Sequence, residues 1–405
     1  MDGKYIILVG DGMGDFPLDR LEGRTPLDVA RTPNMDLLAG IGRMGTVRTV
    51  PPGMEPGSDV ANMSLLGYDP TVYHTGRGPL EAASMGVKLE PDEIAFRCNL
   101  VFLERGASGE IVMGDYSAGQ ITTAESEKIV RDLRRAVEGT PLRLYPGVSY
   151  RHLLVWKGAR DGLPTTPPHN IIGQPISGYD NIASEPVLQA FVEKAALILK
   201  DHPVNAERIA AGKRPANAVW LWGQGRAPSM PKLGDLFGLR GAMISAVDLL
   251  KGIGVYAGLD AVAVPGATGY LETNYAGKVA AALGALETGN FAFLHVEAPD
   301  EASHEGSLEN KIEAIERFDN LVVGPVLEGT RKYPKVRILL VTDHMTPLSL
   351  RTHVSDPVPF VIVDGPVRPG GPGAAAGAKY CERRGEAAGW TLDSGTELFK
   401  ALIKG

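Results

Sequence analysis

Four short apolar runs, each ending abruptly at glycine or at polar and acidic residues, constrain the fold of this chain more than any other feature. They are KYIILVGDGMG (4–14), AVWLWGQG (218–225), FAFLHVEAPD (291–300) and VRILLVTDH (336–344). Continuous apolar runs of this length are typical of buried strands in parallel sheets. Stretches with apolar residues at helical spacing lie between them, at 275–287 and 308–328. The alternation predicts an α/β fold, with a mainly parallel sheet covered by helices on both faces.

The stretch from about 85 to 180 has a different pattern. Its short strand-like runs are separated by turns and include one helix-like segment near 123–138, which predicts a compact α+β unit. The Pro-rich segment 164–176 is predicted to be its exit linker, and the helix-like segment 184–200 is predicted to rejoin the main sheet. We therefore predict a discontinuous α/β domain of residues 1–84 and 181–405 interrupted by an inserted α+β domain of residues 85–180.

Composition excludes several classes of protein. The net charge is −7 and no long Lys/Arg run occurs, so the chain lacks the basic patch expected for binding to nucleic acid or an anionic membrane. No stretch reaches the roughly 18 apolar residues of a membrane-spanning helix, and the first apolar run is too short for a signal peptide. With Cys98 and Cys381 as the only cysteines, neither a disulfide framework nor a thiolate metal site is expected. These features predict a soluble cytoplasmic protein.

Two nucleotide-binding motifs are incomplete or missing. The glycines at 10, 12 and 14 follow a strand, but a dinucleotide fingerprint needs its third glycine at position 15, where Asp15 stands. No Gly-x4-Gly-Lys-Ser/Thr sequence occurs, so a P-loop is excluded. NAD is therefore not an expected cofactor.

Ser58 follows Pro56-Gly57 and precedes a segment of helical character. Serine is a favoured N-cap, and this position has that structural explanation. A serine hydroxyl at a helix N-terminus also lies where backbone N–H groups and the helix dipole favour phosphate, so it could accept a phosphoryl group if a metal ion activated it. Both interpretations of Ser58 stay open at this point.

Histidines and aspartates cluster after the apolar runs. Asp300 and His304 are four residues apart, which places them on one face of a helix. Asp343 and His344 end another run, and His353 follows nine residues later. Together with Asp11, these side chains would meet at the carboxyl edge of a parallel sheet, where such folds bind ligands. Mixed oxygen and imidazole donors suit Zn²⁺ or Mn²⁺ better than Ca²⁺, so we predict a metal site there.

Basic side chains in and beside the inserted unit form a second, weaker set of candidates. Arg77, Arg151, His152 and His169 could donate hydrogen bonds to a phosphate or carboxylate. Surface salt bridges explain such arginines equally well. No partner is apparent for His74 or His295, and His202 before Pro203 is expected to be a surface helix cap.

The order of these motifs resembles a known family. GDGMGD, PGSDVANMSLLGYDP, TGRGPLEAASMG, APDEASHEG and TDHMTPLSLRTH are similar to the archaeal-type cofactor-independent phosphoglycerate mutases, which belong to the alkaline phosphatase superfamily. The resemblance runs from about residue 3 to past residue 360. It implies an alkaline-phosphatase-like α/β domain interrupted by a smaller substrate-binding domain that closes over the site. It also implies two divalent ions (Mn²⁺, Zn²⁺ or Mg²⁺) and no 2,3-bisphosphoglycerate.

The resemblance also divides the candidate ligands between the two ions. Asp11, Ser58, Asp343 and His344 match the ligands of one metal, while Asp300, His304 and His353 match those of the other. Ser58 matches the serine that is transiently phosphorylated. The implied partner is a small phosphorylated substrate, 3-phosphoglycerate or 2-phosphoglycerate, and the oligomeric state is not implied.

One segment points toward a different substrate. LKDHPVNAERIAAGKRPANAVWLWGQG (199–225) looks like a sub-branch whose members have been proposed as homoserine kinases. The metal site would be common to both activities. A mutase is the favoured function, with a homoserine kinase, a metallophosphatase and a non-catalytic binding protein as alternatives. The last is disfavoured because no metal ligand is missing.

Overall fold

The computed structural model describes residues 3–160, 162–179, 181–367 and 377–404. The chain divides into two compact units. Unit 1 comprises Met1–His74 and Ser229–Gly405, and unit 2 is the continuous segment Thr75–Pro228. The predicted insert of 85–180 is therefore too short at both ends.

The described residues form thirteen strands and sixteen α-helices. The strands are β1 (Lys4–Gly10), β2 (Arg43–Val47), β3 (Glu93–Arg105), β4 (Ile111–Asp115), β5 (Leu142–Tyr145), β6 (Arg151–Lys157), β7 (Ala218–Gly225), β8 (Gly241–Ile244), β9 (Asp260–Ala261), β10 (Phe291–Val296), β11 (Val336–Val341), β12 (Val358–Asp364) and β13 (Thr391–Leu392). The helices are α1 (Pro26–Val29), α2 (Pro33–Ile41), α3 (Ser58–Leu65), α4 (Pro70–Tyr73), α5 (Arg77–Ser84), α6 (Thr123–Val137), α7 (Pro186–Lys200), α8 (Pro203–Ala210), α9 (Leu233–Phe237), α10 (Asp248–Ala257), α11 (Tyr275–Thr288), α12 (Ala298–Glu305), α13 (Leu308–Phe318), α14 (Gly324–Thr330), α15 (Glu382–Ala387) and α16 (Gly395–Lys404).

Unit 1 contains an eight-stranded sheet in the order β13-β2-β12-β11-β1-β10-β8-β9. The five strands from β11 to β9 are parallel, and β12 runs antiparallel to both β11 and β2. This confirms the predicted mainly parallel sheet and places three of the four apolar runs in it as neighbours.

The central strand β1 explains why this sheet forms. Ile6 and Leu8 point to one face and Ile7 and Val9 to the other, and all four side chains are fully buried. A strand buried on both faces reads as a continuous apolar run. Each such side chain contributes about 1.5–3 kcal/mol of burial free energy, so the run stabilises the sheet along its whole length.

The helix-like stretch 308–328 is not one regular helix. It comprises α13, a π-helical turn at Asp319–Val323 and then α14. The carboxylate of Asp319 accepts the backbone N–H groups of Asn34 (3.3 Å) and Met35 (2.7 Å), which begin α2. A carboxylate is favourable at the N-terminus of a helix. The hydrogen bonds of Asp319 therefore connect the π-helical turn after α13 to the start of α2.

Unit 2 is built on a five-stranded antiparallel sheet in the order β4-β3-β6-β5, with β7 also paired to β3. The prediction that AVWLWGQG lies in the main parallel sheet is therefore wrong. Val219 and Leu221 are buried on one face of β7 and Trp220 and Trp222 on the other. Because both faces are apolar, the run has the pattern of a central parallel strand, and periodicity could not identify its partner.

The predicted linker and rejoining helix also belong to unit 2. The carbonyl of Thr166 accepts the indole N–H of Trp220 at 2.8 Å, and Ile171 is buried. Phe191 and Leu199 of α7 are buried in the core of unit 2. Pro-rich composition therefore marked turns within the unit rather than its boundary.

The 199–225 segment has a structural role in unit 2. Asn205 Nδ2 donates to the carbonyls of Leu199 and Ala216, and the buried Arg208 donates to three backbone carbonyls and to Glu125. His202 caps α8 by accepting the Val204 N–H, as predicted, but it is buried rather than on the surface. Separately, no helix among the described residues is long and apolar enough to cross a membrane.

Candidate metal centre

Three adjacent strand ends bring the predicted ligands of unit 1 together. β1 is paired in parallel with β10 on one side and β11 on the other. Asp11 directly follows β1, and Asp343 and His344 follow β11 by two and three residues. Asp300 and His304 lie on α12, which begins two residues after β10. The parallel register therefore delivers all five side chains to the carboxyl edge of the sheet, as predicted.

Ser58 is the first residue of α3 and follows Gly57 at the N-cap position. Its Oγ lies 3.2 Å from His344 Nε2 and 3.4 Å from Asp11 Oδ2. The free N–H groups and dipole of a helix N-terminus favour an anion there. The hydroxyl thus lies beside the candidate ligands and at a position suited to a phosphoryl group.

The inner cluster, as we name it, consists of Asp11, Ser58, Asp343 and His344. His344 Nε2 is 3.4 Å from Asp11 Oδ1 and 3.6 Å from Asp343 Oδ2. The two carboxylates and the imidazole are fully or almost fully buried. Such spacings between donor atoms are those of ligands around one shared cation.

The outer cluster consists of Asp300, His304 and His353. His304 Nε2 is 3.1 Å from Asp300 Oδ2 and 3.0 Å from His353 Nε2, which in turn is 3.5 Å from Asp300 Oδ1. The two histidines are half-buried. Donor atoms from these three residues lie within 4.8 Å of one another, close enough to hold a metal ion.

The hydrogen bonds on the far side of the two outer histidines indicate what occupies the space between them. His304 Nδ1 faces the carbonyl of Arg351 at 2.9 Å, and His353 Nδ1 faces the carbonyl of Pro56 at 3.4 Å. A carbonyl only accepts, so each Nδ1 carries a proton and each Nε2 faces the space shared with Asp300. Burial would lower the pKa of His304, but its hydrogen bond to Asp300 and the charge of that carboxylate raise it to about 9, so this position favours positive charge. A divalent cation would supply that charge and could be held by both Nε2 atoms and the carboxylate. The donor set therefore fits a divalent metal.

The inner cluster shows the same need for positive charge. Burial, the neighbouring carboxylates of Asp343 and Asp300, and that of Glu297 all raise the pKa of Asp11 well above its ordinary value. Asp11 Oδ1 is buried and accepts no hydrogen bond from the described residues. A buried carboxylate oxygen without a partner is costly, and a bound cation would remove that cost.

Neighbouring groups hold Asp343 in a single orientation. Its Oδ1 accepts the backbone N–H groups of Gly12 (3.2 Å) and His344 (2.9 Å), and its Oδ2 accepts from Asn62 Nδ2 at 2.8 Å. Asn62 also donates to the carbonyl of Ser58 at 2.8 Å, which links the candidate nucleophile to this ligand. Supporting hydrogen bonds of this kind keep metal ligands pre-organised.

Two buried side chains near Asp11 were not assigned to the site by the sequence analysis, which found no partner for His295 and did not single out Lys278. His295 Nε2 lies 2.9 Å from Asp11 Oδ2, and burial lowers the pKa of His295 to about 3, so the ring is neutral. Lys278 Nζ donates to the His295 carbonyl at 3.1 Å, and burial lowers the pKa of Lys278 to about 8. The available signal was a single histidine or lysine within an otherwise apolar strand or helix.

In unit 2, Arg77 and His169 lie around one tryptophan. The Arg77 guanidinium is 5.9 Å from the Trp222 ring, and His169 meets the same ring edge-on at 5.4 Å. Arg97, which the sequence analysis did not single out, lies nearest, at 4.2 Å. Its guanidinium pairs with Glu81 at 2.9 Å, while its Nε is buried and without a hydrogen-bond partner among the described residues.

The strand register separates the remaining two candidates. Arg151 lies opposite Asn99 across the β3–β6 pair, on the same face as Arg97, whereas His152 lies opposite Cys98 on the other face. Burial lowers the pKa of Arg97, and the nearby charges of Arg77 and Arg151 lower it further although Glu81 opposes them. His152 is buried, its Nδ1 accepts the Gly147 N–H at 3.0 Å, and burial lowers its pKa to about 4. The structure therefore groups three arginines, which we name the arginine cluster, and leaves His152 out.

Comparison with known proteins identifies similar chains. A family model described as 2,3-bisphosphoglycerate-independent phosphoglycerate mutase matches residues 39–205. The enzyme of that name from Methanothrix thermoacetophila is 50% identical over 99% of this chain and 100% of its own length. A probable 2,3-bisphosphoglycerate-independent phosphoglycerate mutase from Geobacter sulfurreducens is 49% identical over 99% of both chains.

Two solved structures are similar over the whole chain. The PH0037 protein from Pyrococcus horikoshii is 30% identical, with a TM-score of 0.83 over 100% of this chain and 97% of its own. The cofactor-independent phosphoglycerate mutase from Thermoplasma acidophilum is 28% identical, with a TM-score of 0.64 over 99% of both chains.

Proposed function

The chain belongs to the family of 2,3-bisphosphoglycerate-independent phosphoglycerate mutases, and we propose that it interconverts 3-phosphoglycerate and 2-phosphoglycerate through a phosphoserine at Ser58. The observation that carries this proposal is the position of the Ser58 hydroxyl. It lies within 3.4 Å of two candidate metal ligands and at the N-terminus of α3. A hydroxyl there has both an activating environment and an anion-binding one.

The proposed metal centre takes two divalent ions. The inner cluster would hold one ion, and the outer cluster would hold the other. Imidazole and carboxylate donors favour Mn²⁺ or Zn²⁺, with Mg²⁺ as a weaker candidate. When bound, such ions polarise phosphoryl oxygens and lower the pKa of a coordinated hydroxyl.

The residues of the chain account for the two halves of the reaction. Ser58 Oγ attacks the phosphorus of 3-phosphoglycerate, and the bond from phosphorus to the 3-oxygen breaks. The glycerate is retained, and its 2-hydroxyl then attacks the phosphoserine, which returns Ser58 to its starting state. Backbone N–H groups at the start of α3 stabilise the phosphoryl charge in both steps. Retention of glycerate distinguishes a mutase from a phosphatase, since water at the phosphoserine stage would release phosphate.

We propose the arginine cluster as the group that binds the substrate anion. Arg77, Arg97 and Arg151 carry three positive charges, and Glu81 is the carboxylate paired with Arg97. Guanidinium groups match carboxylate and phosphate oxygens in paired hydrogen bonds. His169, against the same tryptophan, could add a neutral donor. His152 is not part of this proposal, because it lies on the other face of the sheet.

The structural role of the 199–225 segment in unit 2 weakens the argument for a homoserine kinase. Its buried Asn205 and Arg208 bond to main-chain groups of unit 2, so folding alone explains why these residues are present. The sequence also lacks a P-loop for ATP. Because both activities would use the same serine and metals, only substrate can separate them. A cytoplasmic location remains part of the proposal.

The deciding experiment follows phosphorus by NMR. The Mn²⁺-loaded enzyme is given 3-phosphoglycerate without nucleotide and, in a separate tube, homoserine with ATP. We expect 2-phosphoglycerate in the first tube without free phosphate, and no reaction in the second.

Each other outcome identifies one alternative. Free phosphate in the first tube would indicate a phosphatase. O-phosphohomoserine in the second, with 3-phosphoglycerate untouched in the first, would indicate a kinase and leave the serine and metal assignments standing.

A further inference from the structure

Thr346 lies between the two clusters and contacts a ligand of each. Its Oγ1 forms a short hydrogen bond with Asp300 Oδ1, and it lies 3.2 Å from His344 Nδ1. Asp300 belongs to the outer cluster and His344 to the inner one. The threonine is fully buried, so bulk water does not compete for either hydrogen bond.

The chemistry of the hydroxyl determines the direction of both hydrogen bonds. A threonine hydroxyl has one proton to donate and two lone pairs to accept with. The carboxylate of Asp300 can only accept, so the hydroxyl proton goes to it. The hydroxyl must therefore accept from His344, which places a proton on His344 Nδ1 and leaves the Nε2 lone pair facing the inner cluster. One side chain thus orients a carboxylate of one cluster and sets the tautomer of a histidine in the other.

Two hydrogen bonds also hold the backbone of Thr346 in place. Its N–H donates to the carbonyl of Gly14 at 3.2 Å, and its carbonyl accepts from the ammonium of Lys311 at 3.0 Å. That ammonium is fully buried and also donates to Gly14 O (3.1 Å) and Asp15 Oδ2 (2.8 Å). The loop after β1 and the loop after β11 are therefore tied together behind the clusters, which restricts the movement of the hydroxyl.

The space around the hydroxyl depends on Gly12. This residue has φ +59°, and a Cβ there would lie 2.5 Å from Asp300 Oδ1 and 2.7 Å from Thr346 Oγ1. Any larger residue at position 12 would push the hydroxyl or the carboxylate out of place. At Gly12, the backbone of the loop that carries Asp11 therefore approaches the side chains of Asp300 and Thr346 closely.

We infer that Thr346 is a positioning residue that couples the two metal sites, so that occupation of one site raises the affinity of the other. A cation in the outer cluster fixes Asp300, which fixes the hydroxyl, which in turn holds His344 ready for the inner cation. This inference rests on the proposed two-metal site. Residues that orient metal ligands typically change metal affinity by about 10–100-fold when they are removed.

The test compares three variants by equilibrium dialysis and calorimetry with Mn²⁺. T346V removes the hydroxyl at nearly constant volume, and T346S retains it. T342V is the matched control, because Thr342 is equally buried in the same loop but, within the described part of the chain, its hydroxyl bonds to backbone groups alone, the Met13 N–H and the His344 carbonyl. We expect T346V to weaken both binding steps by about 10–100-fold and to abolish their cooperativity, with T346S and T342V changed by less than about tenfold.

A second measurement uses the wild-type protein freed of metal, so that the result depends neither on T346V folding nor on a metal ion fixing the tautomer. Long-range ¹H–¹⁵N spectra should show His344 protonated at Nδ1. A proton on Nε2 instead, or a T346V protein that binds both ions as T342V does, would overturn the inference while leaving the two-metal site intact. Failure of the wild-type protein to bind two ions would instead contradict the proposed function.

Discussion

The candidate metal clusters of unit 1 and the arginine cluster of unit 2 have opposite chemistry. In unit 1, three aspartates and three histidines converge at one edge of a parallel sheet. In unit 2, three guanidinium groups gather on one face of an antiparallel sheet beside Trp222. The first group is rich in carboxylate and imidazole donors, whereas the second brings three positive charges near the carboxylate of Glu81.

Charge determines the kind of ligand that each cluster favours. The carboxylates of unit 1 are buried, so they are costly without a counter-charge, whereas in unit 2 Arg97 is buried and Arg151 is exposed. We therefore propose that unit 1 binds cations and carries the nucleophile Ser58, whereas the arginine cluster of unit 2 binds the substrate anion. The two assignments can be tested separately.

The largest effect is expected from Ser58→Ala. Removal of the phosphoryl acceptor should lower kcat by about 10⁴-fold or more, with two metal ions still bound. Activity is followed by conversion of 3-phosphoglycerate, and metal content by atomic emission. Ser64→Ala is the control, because Ser64 is the other serine of α3. Near-normal turnover of Ser58→Ala would show that Ser58 is not the phosphoryl acceptor.

The next effect is expected from His304→Ala. Loss of one of three outer ligands should reduce the bound metal from two ions to one and lower kcat by about 10³-fold, since one Lewis acid is lost. Inductively coupled plasma measurements on the dialysed protein give the stoichiometry. His202→Ala, a buried histidine of unit 2, should keep two ions. If His304→Ala also retains both, the outer cluster is not a metal site.

A smaller effect is expected in unit 2 from Arg97→Met. Loss of charged hydrogen bonds to the substrate should raise KM by on the order of 100-fold while metal content stays unchanged. The matched control is Arg143→Met, which removes another arginine of the same sheet that pairs with Glu93 at 2.8 Å. An unchanged KM, with kcat reduced instead, would mean that the arginine cluster acts on chemistry or folding rather than on binding.

The two units should also respond to pH in opposite directions. Burial raises the pKa of Glu382 in unit 1 from 4.5 to about 7. In unit 2, burial would raise the pKa of Glu125, but hydrogen bonds from Thr122 and the charge of Arg208 lower it to about 2. The contribution of Glu382 is therefore complete below its ordinary pKa and lost as pH rises through 7. That of Glu125 is complete above its ordinary pKa and lost as pH falls toward 2.

Urea unfolding of Glu382→Gln and wild type between pH 5 and 8 measures this difference. Relative to the variant, wild type should lose about 2 kcal/mol of unfolding free energy as pH rises across this range. Glu125→Gln is the control and should shift stability by a constant amount there. Parallel curves for wild type and Glu382→Gln would show that Glu382 ionises normally in the folded protein.

The parallel sheet and the candidate metal ligands could be predicted from the sequence because their signals are local. A buried strand is a continuous apolar run, and the residue that follows it must lie at the carboxyl edge. Asp11 follows its run directly, Asp343 and His344 come two and three residues after theirs, and Asp300 and His304 have the helical spacing of one face. For these residues, the place in the chain is enough to predict the edge of the sheet at which they lie.

The extent of unit 2 was not predictable in the same way. β7 has the apolar pattern of a central parallel strand, yet it pairs antiparallel with β3, more than a hundred residues away. Long-range packing determines which strand another strand pairs with. The apolar periodicity of a strand does not identify that partner. The arginine cluster has the same origin, because the β3–β6 pair brings Arg151 near Arg97 and the β3–β7 pair brings Trp222 opposite Arg97.

The residues at the carboxyl edge of the unit 1 sheet could therefore be predicted from the amino-acid order, since strand ends and helical spacing are properties of short segments. The contacts that orient those residues form only when the chain folds. The hydrogen bonds of the Thr346 hydroxyl to Asp300, of the Asn62 amide in α3 to Asp343 and of the Lys311 ammonium in α13 to the Thr346 carbonyl all join segments that lie apart in the chain. The physical reason is that a hydrogen bond needs its two atoms within about 3 Å, and the packing of distant segments, not their order in the chain, sets that distance.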